Sequence, residues 1–166
     1  RHDFARICLL LFLSLLSREA WATRDMTEDR ELFFSEISVK DGLSQGFVHS
    51  ITKDSRGFIW VGTSGGLNRW DGYDFVRYKH NPSDSLSLCG NLVNCIAEDS
   101  DGFLWLGTGN GLCRFDPRTD RFRRYHSRDG LDGSISSDYV KSLLFDSRGR
   151  LWIGADGALN LLLYTS

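Results

Sequence analysis

Long hydrophobic runs are missing from this chain of 166 residues. The longest, Ile7 to Leu16, is a ten-residue stretch broken only by Ser14, against the roughly 20 apolar residues that a bilayer span requires. Proline is scarce, with 2 residues, and neither sign of charge dominates: 20 Lys and Arg stand against 22 Asp and Glu, a formal net charge of −2. That balance carries no basic footprint for nucleic acid in this segment and no pull toward an anionic membrane surface. Cysteine is sparse too, 4 in all, without the C-x-x-C spacing of a zinc site. What the chain does have is glycine, 17 residues, and 13% aromatics, a mixture that suits a β-rich fold with many tight turns.

The first 22 residues differ from the rest. Arg1 to Arg6 carry positive charge, the apolar run follows, and Ala20-Trp21-Ala22 supplies an A-x-A site. This order reads as a secretory signal peptide over 1–22, with a linker over 23–31 and an exported mature chain beginning near Thr23. Cys8 begins the apolar run instead of ending it, so it is not a lipoprotein cysteine. Export permits disulfides, and the remaining Cys89, Cys95 and Cys113 are odd in number, which leaves at least one thiol free. Each stands where other copies of the repeat described next have Ser or Asn. They read as packing substitutions, with Cys89–Cys95 the only pair close enough in sequence to consider.

Trp60, Trp105 and Trp152 stand 45 and 47 residues apart, a period that belongs to propeller blades and related arrays. The unit reads as four strands. Strand A begins at Val48, Val93 and Val140. A turn follows at Asp54 to Gly57, Asp99 to Gly102 and Asp146 to Gly149, where Asp at the first position caps the turn and Gly57, Gly102 and Gly149 tolerate positive φ. Strand B starts at Phe58, Phe103 and Arg150 and is apolar at odd and even positions alike, which predicts cover on both faces. Strand C is Leu67 to Trp70 and Leu112 to Phe115; strand D is Phe75 to Lys79 and Phe122 to His126. The predicted fold is an all-β propeller fragment of about three four-stranded antiparallel blades, the third incomplete. Residues 32–47 form an N-terminal strand and lead-in that closes a ring, and blades occupy 48–92, 93–139 and 140–166. Leu161-Leu162-Leu163-Tyr164 breaks the pattern, and Ala158 replaces Gly66 and Gly111. The chain reads as the front of a longer protein, cut or shifted in frame near residue 160.

Sites of chemistry are weighed against this repeat. Gly62-Thr63-Ser64-Gly65-Gly66 fits the G-x-S-x-G of a serine hydrolase, but Ser64 becomes Gly109 and Asp156 in the other copies, and no helix follows it. Asp99-Ser100-Asp101-Gly102 starts like a calcium loop, yet Phe103 stands at the fifth position, where such a loop needs an oxygen ligand, and Asn110 at the twelfth, where it needs Glu. Gly107 to Gly111 lacks G-x-G-x-x-G spacing. His49, His80 and His126 share no recurring carboxylate partner, so no metal, cofactor or catalytic residue is assigned. The conserved spacing of Trp60, Trp105 and Trp152 in strand B makes them core, and Asp54, Asp99 and Asp146 with the turn glycines form the structural repeat. Candidate ligand residues are the variable polar positions of the innermost strand, His49, Asn94 and Lys141, together with the long D–A connections.

The unit D-S-R-G-F-I-W-V-G-T-S-G-G-L-N-R-W-D, with its Gly-Leu-Ser lead-in, resembles the propeller repeat of two-component regulators over about Leu32 to Asn160. That resemblance implies an N-terminal periplasmic sensor part of a hybrid two-component histidine kinase and response regulator. It implies further blades, a β-sandwich domain, a membrane helix and a kinase downstream in the same chain, and a homodimeric full-length protein. It also implies a small oligosaccharide ligand, with control over genes for glycan use, and no phosphorelay residue in this segment. Two other classes stay open. An exported propeller enzyme acting on glycans would need paired carboxylates at a shared site, which these blades do not repeat. A periplasmic binding scaffold would have no membrane segment downstream.

Overall fold

A computed structural model of the chain describes residues 32–128 and 134–162. The signal peptide and linker expectations therefore lie outside the described residues. Among the described residues eleven strands follow one another, with one 3-10 turn, Val39–Asp41, before them. In chain order they are β1 (Val48–Lys53), β2 (Ile59–Thr63), β3 (Gly66–Trp70), β4 (Phe75–Tyr78), β5 (Val93–Glu98), β6 (Leu104–Thr108), β7 (Gly111–Asp116), β8 (Arg121–Tyr125), β9 (Val140–Phe145), β10 (Leu151–Ala155) and β11 (Ala158–Leu162). They form three sheets, β1-β2-β3-β4, β5-β6-β7-β8 and β9-β10-β11, and every neighbouring pair is antiparallel. These are the blades of an all-β propeller, in agreement with the period of the tryptophans. Strand C of the third copy is present despite its altered sequence, with Leu151 opposite Leu162 and Ala155 opposite Ala158.

Several boundaries move by one residue: strand B starts at Ile59, Leu104 and Leu151, strand C at Gly66 and Gly111, and the second strand D is Arg121–Tyr125. Phe58 belongs to the turn and not to the strand: its carbonyl accepts from Asp54 N–H at 2.9 Å and its own N–H donates to Asp54 Oδ1 at 2.9 Å. The strand then begins at Ile59. The first strand D ends at Tyr78, one residue before Lys79. Leu32 to Ile37, expected to carry a strand, make no β-pairing among the described residues.

The sheets stack face to face, and each junction is a core. Between the first and second blades lie Trp60, Leu67, Val93, Ile96, Leu104, Leu106 and Phe115 with others. Between the second and third lie Trp105, Leu112, Ile135, Val140, Leu151 and Ile153. This explains the unbroken apolar run of strand B, since residues on alternate sides of it serve two different junctions. Polar ties cross the first junction: Thr52 Oγ1 donates to Ile96 O at 3.1 Å, and Ser55 N–H and O–H both donate to the Glu98 carboxylate, at 2.8 and 2.7 Å. Trp60 and Trp105 are fully buried as expected, while Trp152, on the outward face of the third blade, is half-buried.

The cysteine expectation is corrected. Cys89 pairs with Cys113 in a disulfide, and among the described residues Cys95 is the free thiol. The reason is topological. In the first blade Ser44 N–H donates to Asn68 Oδ1 at 2.9 Å, and in the third Ser136 N–H donates to Asn160 Oδ1 at 3.0 Å. Cys89 and Cys113 fill these two places in the second blade, so the disulfide stands where the other blades have a hydrogen bond. Cys95 instead lies over Gly107, as Ser50 lies over Gly62 and Ser142 over Gly154.

Candidate functional site

Each innermost strand carries one residue too many for its partner. Val48 faces Thr63 and Ser50 faces Gly62, so His49 is left out of the ladder between them. Asn94 is skipped in the same way between Val93, opposite Thr108, and Cys95, opposite Gly107. Lys141 is skipped between Val140, opposite Ala155, and Ser142, opposite Gly154. The three ligand candidates are thus the bulge residues of the three blades. A bulge leaves one residue unpaired and turns its side chain away from the regular alternation.

The bulge side chain meets the turn between strands B and C. His49 Nε2 hydrogen-bonds Ser64 Oγ at 2.7 Å, and Lys141 Nζ donates to Asp156 Oδ1 at 2.8 Å. That carboxylate holds the Lys141 ammonium above its ordinary pKa. In the second blade the turn position is Gly109, which offers no side chain, and Asn94 Nδ2 reaches the next blade instead, donating to Val140 O at 2.8 Å. The turn is itself tied to the residue before strand A. Ser64 N–H donates to Phe47 O, Gly109 N–H to Leu92 O and Asp156 N–H to Tyr139 O, at 3.2, 2.9 and 2.9 Å. One end of the array therefore presents a rim of three matched stations. Each has an apolar or aromatic residue, a variable bulge residue and a turn residue: Phe47, His49 and Ser64; Leu92, Asn94 and Gly109; Tyr139, Lys141 and Asp156, with the turn side chain bonding the bulge residue in the first and third. Phe47 and Tyr139 are exposed, and the Lys141 ammonium lies 5.8 Å from the Tyr139 ring centre.

The His49–Ser64 contact has two members of a nucleophile–base–orienter arrangement. Among the described residues no carboxylate is hydrogen-bonded to the other ring nitrogen. The equivalent station in the third blade is an ion pair, which marks the contact as a tether for the rim. Thr63 and Thr108, which precede Ser64 and Gly109, are buried and close their turns by donating to Gly66 O and Gly111 O at 3.0 and 2.8 Å. The other histidines lie elsewhere: His80 Nδ1 hydrogen-bonds Leu88 O at 2.7 Å, and His126 Nδ1 stands 3.6 Å from Asp138 Oδ2. Among the described residues no three of His, Cys, Asp and Glu are placed to hold a metal ion.

The D–A connections separate. The first is fastened from the second blade: Arg124 donates to Ser87 O at 2.9 Å and Asp84 O at 2.6 Å. That loop is built into the wall of the fold. The second includes residues 129–133, outside the described residues.

At the opposite end, the repeated turns hold a feature the sequence reading missed. The Asp carboxylate caps two turn N–H groups through Oδ1 and accepts the Trp indole N–H through Oδ2. The indole distances are 2.9 Å for Asp54–Trp60, 2.9 Å for Asp99–Trp105 and 3.0 Å for Asp146–Trp152. Gly57, Gly102 and Gly149 have φ of 97°, 80° and 74°, the left-handed region foreseen for them. Burial works to raise the Asp54 carboxyl, but the Trp60, Phe58 and Arg56 N–H groups outweigh it and hold it below its ordinary value. The Trp152 indole, helped by Arg150 and backbone N–H groups, holds Asp146 well below the usual range. The sequence carries its mark, with Asp and Trp six residues apart in every copy.

The rim falls within stretches that match a described repeat. The two-component regulator propeller repeat matches residues 42–65, 87–110 and 134–157, each running from the lead-in through strands A and B to the B–C turn. Histidine kinase P4 of Formosa agariphila is 43% identical over 61 residues, 37% of this chain and 4% of that protein. The extracellular domain of a hybrid two-component system of B. thetaiotaomicron superposes with a TM-score of 0.66 at 30% identity, over 72% of this chain and 17% of that one. A second such domain from the same organism gives 0.47 at 19%, over 78% and 23%. This chain thus spans a small part of the length of each. The chain carries three successive matches to the two-component regulator propeller repeat, one in each of its three blades.

Proposed function

We propose that these blades are part of the periplasmic ligand-sensing propeller of a hybrid two-component sensor histidine kinase. The observation that carries this reading is the rim, where the backbone scaffold is constant and the bulge residue changes from His49 to Asn94 to Lys141. Constant geometry under variable polar chemistry is the pattern of a recognition surface, as loops on a rigid scaffold are elsewhere. The ligand is a small oligosaccharide: exposed Phe47 and Tyr139 offer faces for sugar rings beside donors and acceptors for hydroxyls. The blades are non-catalytic, and the kinase chemistry belongs to other domains of a longer, exported and membrane-anchored chain. Ligand binding acts there by favouring one of two states of the kinase. The extracellular placement of the B. thetaiotaomicron domain supports the compartment.

The test is titration calorimetry of the chain against a panel of plant and algal oligosaccharides, with His49→Ala, Asn94→Ala and Lys141→Ala. The reading expects one glycan class to bind, and at least one substitution to weaken it about tenfold, roughly 1.4 kcal/mol. Binding that all three substitutions leave unchanged would move the site off the rim. No binding by any member of the panel would remove the oligosaccharide.

A further inference from the structure

The second blade gathers arginines that the first blade lacks. Across β7 and β8, Arg114 faces Arg123 and Asp116 faces Arg121, and Arg118 stands in the turn between the strands. In the first blade the same ladder sets Arg69 against Val76, and the turn is the shorter Asp71-Gly72-Tyr73-Asp74. Like charges directly opposite on a sheet cost stability unless something answers them. Among the described residues nothing does. Asp116 is engaged by Arg118, whose Nε donates to Oδ1 at 3.0 Å. Arg124, on the other face of β8, is held by carbonyls of the D–A connection. The guanidinium groups of Arg114, Arg121 and Arg123 make no ion pair or hydrogen bond among the described residues. Two of them rest on rings instead. Arg114 lies 4.4 Å from the Phe103 ring centre, and Arg123 5.4 Å from that of Tyr125.

Phe103, Arg114, Thr119, Arg121 and Arg123 line a cleft of about 280 Å³ at the end of the blade opposite the rim. Every residue around it belongs to the second blade or to the connection leading into it. A complete neighbouring blade leaves this position open: Val76, the counterpart of Arg123, is 39% exposed beside the four-stranded second blade. A guanidinium held by its face keeps its N–H edge free, and that edge matches two oxygens of one phosphate or sulfate. We propose that this cleft binds a tetrahedral oxyanion, a phosphate or sulfate group, with Arg114, Arg121 and Arg123 as its donors. The anion supplies the negative charge that the fold withholds from the Arg114–Arg123 pair. The site is separate from the rim and does not rest on the sensing reading.

Nuclear magnetic resonance titration of the isotope-labelled chain with sodium phosphate and sodium sulfate tests it, against sodium chloride at matched ionic strength. The expected result is saturable movement of the arginine Nε–H signals. Arg121→Gln and Arg123→Gln, both at exposed positions, should each raise the dissociation constant about tenfold. Arg148→Gln removes an exposed arginine from the turn of the third blade and should leave binding unchanged. Co-sedimentation with vesicles of phosphatidic acid in phosphatidylcholine separates the sources of the group. Retention that Arg123→Gln abolishes places it on a lipid, and phosphate binding without retention places it on a soluble molecule. Signals that follow ionic strength alone, without saturation, overturn the proposal. So does binding that survives Arg121→Gln and Arg123→Gln together, or that Arg148→Gln weakens as much as they do.

Discussion

Asp54 serves three partners at once: two backbone N–H groups of its turn through Oδ1 and the Trp60 indole through Oδ2. Replacing it with Ala strands a buried indole N–H and opens the turn, for a loss of about 1–3 kcal/mol measurable by urea unfolding. Asp54→Asn keeps the capping oxygen but points an amide N–H₂ or a second-best acceptor at the indole, so a smaller loss is expected. Trp105→Ala removes a fully buried ring and should cost roughly 3–5 kcal/mol. The acid limb follows from the same carboxylates. Asp54 and Asp146 have folded pKa values below the ordinary 3.8. Their contribution is therefore complete above that value and is lost as pH falls through the lower, folded one. Urea midpoints of the wild type should drop below about pH 4, and the Asp54→Asn variant should show a shallower drop. An identical drop in both would mean that other groups govern it. The sequence yielded Asp, Gly and Trp as separate marks of a repeat. It did not join Asp to Trp, because turn chemistry explains the Asp without reference to any side chain beyond the turn.

Strands A, B and C were legible as elements because a repeat of three copies averages out local ambiguity, and the Asp-x-x-Gly turns fix where A ends and B begins. Pairing across the sheet was less legible. The reading looked for a cysteine partner nearby in sequence, whereas strand C returns beside the lead-in and brings together residues 24 apart. The clue was coupled substitution: where Ser44 and Asn68, or Ser136 and Asn160, form a pair, Cys89 and Cys113 change together. A chain joined at this separation should lose roughly 3 kcal/mol when the bond is removed. The double change Cys89→Ser with Cys113→Asn should recover part of this by restoring the hydrogen bond, and Cys113→Ala should not. Equal urea midpoints for the two variants would deny the equivalence. Cys95 is predicted to be inert: burial pushes its thiol up to about 12, so it stays protonated at neutral pH. Iodoacetamide should label it only after unfolding, and fast labelling of the native chain would contradict its burial. The bulges were not legible either. The sequence showed that His49, Asn94 and Lys141 vary, but only pairing register shows that they stand outside the ladder.

Across the whole array, cover is unequal. The second blade has a neighbour on both faces, the first and third on one face each. Local stability in a repeat array follows such neighbour contacts. Amide exchange is therefore expected to be slowest in β6 and faster toward β1 and β11, and protection in β11 equal to that in β6 would refute this ordering. The blade architecture was readable because the period of the tryptophans sets it; the distribution of cover was not, because it depends on which blades stand side by side. The bulges carry a consequence at this scale as well. His, Asn and Lys already occupy one station without altering the register beneath it. A residue outside the ladder can be exchanged with little effect on folding, so the chemistry of the rim is free to drift blade by blade over evolutionary time. New specificities can arise there while the sheets that display them stay as they were.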